Sequence, residues 1–120
     1  MTAGELIRQV DELLPNVYSR ERKLCWLRRL DGQIREELLE THAGEREPLP
    51  EDYAESTALL APFPWGEELY TAWLFCQIDL HNGEIQKYNQ SLRLLAAAWR
   101  SLADAWNRGL PPKGPRAWRV

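Results

Sequence analysis

The chain has 120 residues, 44% of them hydrophobic and 28% charged, and a formal net charge of −3. That length supports one domain with a modest core, and the near-neutral balance excludes bulk electrostatic binding of nucleic acid. No apolar run approaches the ~18 residues that a membrane span needs, and Glu5 and Arg8 interrupt the start of the chain, so neither an anchor nor a secretory leader is expected. Cys25 and Cys76 lie at apolar-rich positions without C-x-x-C spacing. They read as buried free thiols of a protein in a reducing compartment, the cytoplasm.

The elements follow in chain order. Thr2 with Glu5 three residues on is a capping box that opens a first helix, and Leu6, Ile7, Val10, Leu13 and Leu14 give that helix an apolar stripe. Pro15-Asn16 stops it. Ser19 caps a second helix beginning at Arg20, with Leu24, Leu27, Ile34 and Leu38 as its buried face and Leu30 widening it. Trp26 lies to one side of that stripe and faces either a neighbouring helix or a partner. Gly32, inside the helix, marks a close crossing or a kink at a cost of ~1 kcal/mol relative to alanine.

From Ala43 to Pro64 the periodicity dissolves into prolines and acids. A connection of about 20 residues without structure is uncommon in a compact domain, so an extended, packed arm is expected. The cluster Ala58-Leu59-Leu60-Ala61 argues for docking, while Gly44 to Glu47 reads as disordered. A third helix starts near Trp65, with Leu69, Tyr70, Trp73, Leu74, Gln77, Ile78 and His81 on its inner face, and Asn82-Gly83 ends it.

The fourth helix, about Glu84 to Asn107, carries Ile85, Tyr88, Leu92, Leu95, Trp99, Leu102 and Trp106 at alternating spacings of three and four. A stripe that bulky is expected to be buried against other helices or another chain. The predicted fold is therefore all-α: about four helices in an antiparallel bundle, with a long fourth helix and an extended, proline-punctuated connection. Residues 1–108 form one helical domain, with 43–64 as its arm. Residues 109–120 form a basic, proline-rich tail, expected to be flexible alone, with Trp118 as an anchor for a partner groove or for the domain itself.

Charge is distributed unevenly. Residues 36–84 are acidic with Arg46 as their single base, whereas Arg108, Lys113, Arg116 and Arg119 face no acid in the tail. Such blocks attract each other within a molecule or between neighbours, or are simply solvated.

Catalytic constellations are weak. His81 and Glu84 share helical spacing, but two ligands do not make a metal site, and a histidine bonded to a neighbour is the better reading. His42 suits a helix C-terminus. Glu36-Glu37-x-x-Glu40 resembles the first half of the magnesium motif of all-α nucleotide pyrophosphatases. The E-x-x-D motif that those enzymes carry on a following helix is missing. No nucleophile elbow, phosphate loop or assisted thiol is present. The expectation is a non-enzyme without metal or cofactor.

Two segments carry a family resemblance: Asp11-Glu12-Leu13-Leu14-Pro15-Asn16-Val17-Tyr18-Ser19 continuing through Lys23-Leu24, Trp26-Leu27 and Leu30-Asp31-Gly32, and Glu68-Leu69-Tyr70 through Ile78-Asp79 and Asn82-Gly83-Glu84 to Tyr88-Asn89. Over roughly residues 5–107 the chain resembles the head–tail connector (adaptor) proteins of tailed phages and prophages. The leucine-, alanine- and tryptophan-rich fourth helix departs from that pattern, and the tail has no counterpart in it.

The resemblance implies a ring of about a dozen copies closed by head-to-tail contacts. The ring would dock below the portal and extend the channel, with DNA only as passing cargo. Its partners would be copies of itself and portal or neck proteins, first in the host cytoplasm and then in the virion neck, and no membrane. Interface candidates are Trp26, Glu36, Glu37, Glu40, Leu59, Leu60, Arg108, Arg116, Trp118 and Arg119. The resemblance also implies that Tyr18 is a hydrophobic staple beside the Ser19 cap, that Tyr88 and Asn89 pin the third helix to the fourth, and that Asp31 and Asp79 each bond an arginine, a tyrosine hydroxyl or a tryptophan N–H. The alternatives are the metal-dependent pyrophosphatase, or a helical adaptor that binds a protein through its basic Trp-containing tail.

Overall fold

The computed structural model describes residues 1–39 and 52–109. These residues form four helices: α1 (Ala3–Leu13), α2 (Arg20–Ile34), α3 (Trp65–Asn82) and α4 (Ile85–Asn107). A π-helical turn, Arg35–Leu39, continues α2. Among the described residues there is no strand, only a single antiparallel bridge between Thr2 and Ala58. The all-α expectation holds, with boundaries within a residue or two of those read from the caps.

The caps act as their chemistry dictates. Thr2 Oγ1 accepts from the Glu5 N–H at 3.2 Å, and Glu5 Oε1 accepts from the Thr2 N–H at 2.8 Å. Ser19 Oγ accepts from the Arg22 N–H at 3.1 Å. The turn between α1 and α2 is organised by Asn16. Its amide donates to Asp11 Oδ1 and the Leu14 carbonyl, and its carbonyl accepts from the Tyr18 N–H and from Lys23 Nζ. Lys23 is itself buried and lies 2.6 Å from Asp11 Oδ1, so a charge is taken inside only with a carboxylate and an amide around it.

The described part of the arm, from residue 52 to α3, is docked rather than structureless. The Ala3 and Gly4 N–H groups, unpaired donors of the first turn of α1, donate to the Thr57 and Glu55 carbonyls at 2.9 and 2.8 Å. Leu59 N–H donates to the Met1 carbonyl. Glu55 also receives two 2.8 Å hydrogen bonds from Arg20, which hold its carboxylate below the usual range. Ala61 is buried and Leu59 and Leu60 are half-buried against the core. Gly66 sits so close to this strap that a Cβ there would lie 2.4 Å from the Ala61 carbonyl oxygen. The part of the arm expected to be disordered, Gly44 to Glu47, lies outside the described residues.

Asp31 is the polar centre of the core. It is fully buried, accepting from the Tyr53 hydroxyl at 2.8 Å and from the Tyr70 hydroxyl at short range. Tyr70 in turn accepts from the Ala61 N–H at 2.8 Å. One carboxylate thus joins α2, the arm and α3, and the tyrosine partnership expected from sequence is met. Asp79 differs: it bonds the Ser91 hydroxyl of α4 at 3.0 Å rather than an arginine, tyrosine or tryptophan. Burial raises the Asp31 pKa, while hydrogen bonds from Tyr70, Tyr53 and the Leu60 backbone oppose the rise.

α3 is the central helix, buried on two faces. Leu69, Tyr70, Leu74 and Ile78 meet the core built by Leu6, Ile7, Val10, Leu27, Leu30 and Ile34. The opposite face, Ala72, Cys76 and Asp79, meets α4, which packs chiefly on α3. Gly83, at φ 77°, takes the left-handed conformation that ends α3 and turns the chain back into α4.

An unfolded Asp31 titrates near ~3.9, and the folded one above that. Its stabilising contribution is complete below the unfolded value and is lost as pH rises through the folded value, because the unfolded state releases the proton first. Urea unfolding from about pH 3 to about pH 7 should show wild-type stability falling relative to Asp31→Asn across that window. Tyr70→Phe, which strips donors or acceptors from both Asp31 and Ala61, should cost ~1–3 kcal/mol.

Candidate assembly surface on the fourth helix

The sequence predicts that the line from Ile85 to Trp106 is the buried face of α4. The structure corrects this. The residues of α4 that are buried are Ser91, Ala98, Leu102 and Ala105, a line turned by about 80° from the predicted stripe at ~100° per residue. Leu102 belongs to both lines. Tyr88, Leu95, Trp99 and Trp106 are half-buried, and Ile85 and Leu92 are exposed at 59% and 42%. The physical reason is size. Ser91 bonds Asp79, and Ala98 borders the same groove as Ala72, so small side chains at the α3–α4 contact let the two backbones approach. Leu102 is the one large side chain among the buried residues of that line, and the other bulky residues of α4 flank the seam.

Flanking leaves both sides of α4 open. On one side a groove of about 610 Å3 runs between α4, α3 and the end of α2. Its walls include Leu92, Leu95 and Trp99 of α4, Trp73 of α3 and Leu30 of α2, with Glu37 and Arg100 supplying opposite charges. On the other side a groove of about 520 Å3 lies between α4, α3 and α1, with Leu13, Phe75 and Leu94 as its apolar residues and Glu67 and Glu68 as its charges. Leu94 is 61% exposed. Contiguous apolar surface flanked by polar side chains is what protein-docking faces present.

The residues nominated from sequence fall in different places. Trp26 is 4% exposed, and its partner is inside the molecule. The Tyr18 ring meets it edge-on with centroids 5.6 Å apart, the His81 ring lies over it at 5.0 Å, and its backbone carbonyl accepts from Trp73 Nε1 at 2.8 Å. Of its two expected settings, the neighbouring helix is the one found. Leu59 and Leu60 are likewise turned toward their own core. Glu36, Glu37 and Arg108 are exposed. Glu40, Arg116, Trp118 and Arg119 lie outside the described residues. Surface features that the sequence reading missed are Trp73, Phe75, Leu94 and Arg100. Phe75, Leu94 and Arg100 match no predicted stripe and Trp73 was expected on the inner face of α3, and only the packing of α4 on α3 brings them to the two grooves.

Other expectations are also revised. Tyr18 is not simply a staple at the Ser19 cap, since its hydroxyl donates to Asn82 Oδ1 at 2.6 Å across to the end of α3. Asn89 is exposed and Tyr88 half-buried, and a hydrogen bond from Ser91 to Asp79 links α4 to α3. Cys25 is exposed rather than buried. Cys76 is buried, and desolvation with the nearby Asp79 charge pushes its thiol up to about 11. His81 Nδ1 is 2.8 Å from the Gln77 carbonyl, the neighbour-bonded histidine expected. Among the described residues no group of three or more His, Cys, Asp or Glu side chains converges as a metal site, and no helix is long and apolar enough to cross a membrane. No protein-family model, curated protein or solved structure matches the chain.

The seam and its flanks should differ sharply in energy. Leu102→Ala, at a fully buried position, should destabilise the fold by ~2–5 kcal/mol. Leu92→Ala, already exposed, should cost about 0.5 kcal/mol or less. Urea melts of both variants at low protein concentration measure the contrast.

Proposed function

We propose that this is a non-enzymatic structural protein that assembles with copies of itself through the flank of α4 that carries Leu92, Leu95 and Trp99, in the manner of the head–tail connectors that its sequence resembles. The observation that carries the reading is that α4 leaves the large apolar side chains Leu92, Leu95 and Trp99 half-covered or exposed along a groove. The monomer gains little from that arrangement, whereas a neighbouring copy seated there would bury it. A ring uses heterologous contacts, one patch against a different patch on the next copy. The mixed charges of Glu37 and Arg100 beside the groove would set its register.

In this reading the partners are other copies of the chain and the portal or neck proteins of a phage particle. The site of action is the host cytoplasm and then the virion neck, and DNA passes through without being bound.

Size-exclusion chromatography with light scattering, from micromolar to near-millimolar protein, tests this. A discrete oligomer is expected, dissociated by Leu92→Glu without loss of helical circular dichroism. A chain that stays monomeric over the whole range overturns self-assembly. Magnesium-dependent release of pyrophosphate from nucleotides, abolished by Glu37→Gln, would install the hydrolase reading in its place.

A further inference from the structure

The groove between α1, α3 and α4 faces the opposite flank of α4 from the assembly surface, and its chemistry differs. Among the described residues the charged side chains that line it are Glu67 and Glu68, with no base beside them. Leu13, Phe75 and Leu94 form its apolar part. We propose that residues 110–120 fold back over this groove in their own molecule, with Trp118 against the apolar part and the basic side chains beside Glu67 and Glu68.

Four observations converge on that occupant. The segment carries Lys113, Arg116 and Arg119 and no acid, so its charge complements this groove. The other groove, where Arg100 accompanies Glu37, offers no such match. Position agrees as well. α3 and α4 run antiparallel around Gly83, so Glu67 and Glu68 in the first turn of α3 lie beside the last turns of α4, where the segment departs. Gly109, at φ 75°, closes α4 with its N–H donating to the Trp106 carbonyl, the left-handed cap that redirects a chain leaving a helix.

Reach is sufficient. Trp118 is nine residue steps beyond Gly109, a span of up to ~30 Å when extended. The path back along α4 from Gly109 to Leu94 is ~22 Å. The segment also contains Pro111, Pro112 and Pro115, and an extended proline-rich stretch needs no backbone partners of its own to lie in a groove.

Tethering favours the same molecule over a neighbour. A short linker gives an effective concentration in the millimolar range, above that of free copies in dilute solution. Because the assembly surface and this groove are on opposite flanks of α4, either idea can fail without the other.

Disulfide trapping in the full chain tests the proposal. In a Cys25→Ser background, Ala117→Cys is combined with Ala97→Cys, on this groove, or with Ala96→Cys, on the other. Cys76 is buried and its thiol is pushed up to about 11, so it stays a bystander. Under mild oxidation the Ala97→Cys pair should close an internal disulfide, seen as a monomer on denaturing gels. The Ala96→Cys pair should close at least about tenfold more slowly, reflecting lost proximity. Trp118→Ala and the double change Glu67→Lys/Glu68→Lys should each slow the Ala97→Cys closure. Equal rates for the two pairs, insensitivity to both of those changes, or a disulfide-linked dimer in place of the internal loop would overturn it. The dimer would show that the segment crosses to another copy.

Discussion

The fold depends on one carboxylate. Asp31 is fully buried, and the two hydroxyls that bond it come from different elements, Tyr53 on the arm and Tyr70 on α3. Because Tyr70 also takes the Ala61 N–H, the position of the arm and the orientation of α3 are set by the same few atoms. A buried polar group left unpaired costs more than a paired one contributes. The arrangement therefore acts less as a source of stability than as a penalty on every other way of packing these pieces.

Around that point the polar contacts lock the entry of each element. The arm satisfies the first donors of α1, Arg20 clamps the arm through Glu55, and Asn16 with Lys23 and Asp11 fixes the turn into α2. The result is one half, α1, α2 and the described part of the arm packed on α3 around Leu6, Ile7, Val10, Leu27, Leu30 and Ile34. α4 is attached differently. It lies on the outer face of α3 along a seam of small residues, held by Leu102 and by the Ser91–Asp79 hydrogen bond. Small residues give close approach but cover little, so the large side chains of α4 flank the seam. That division, a packed core and an outer helix with two open flanks, is what the proposed association on one side and the proposed covering segment on the other rest on.

The elements of the fold were legible in the sequence because their determinants are local. Thr2 with Glu5, Ser19, Pro15-Asn16 and Asn82-Gly83 act within a few residues of themselves, so helix number, type and limits follow from chain order alone. Asp31 could be marked as a carboxylate in an apolar stripe for the same reason, although its two tyrosines are far away in sequence. What the sequence could not decide is which of two adjacent lines on α4 is turned inward. Periodicity measures where hydrophobic mass lies on a helix, whereas burial depends on how closely the neighbouring helix can approach. That is a property of pairs, Asp79 with Ser91 and Ala72 with Ala98. Trp26 went the same way: its offset from the stripe suited a partner surface or a neighbouring helix equally, and only the placement of Tyr18, Trp73 and His81 decided for the second. Local chemistry determined the four helices and the docked arm of the described residues, and tertiary packing alone decided which hydrophobic side chains of α4 stay uncovered.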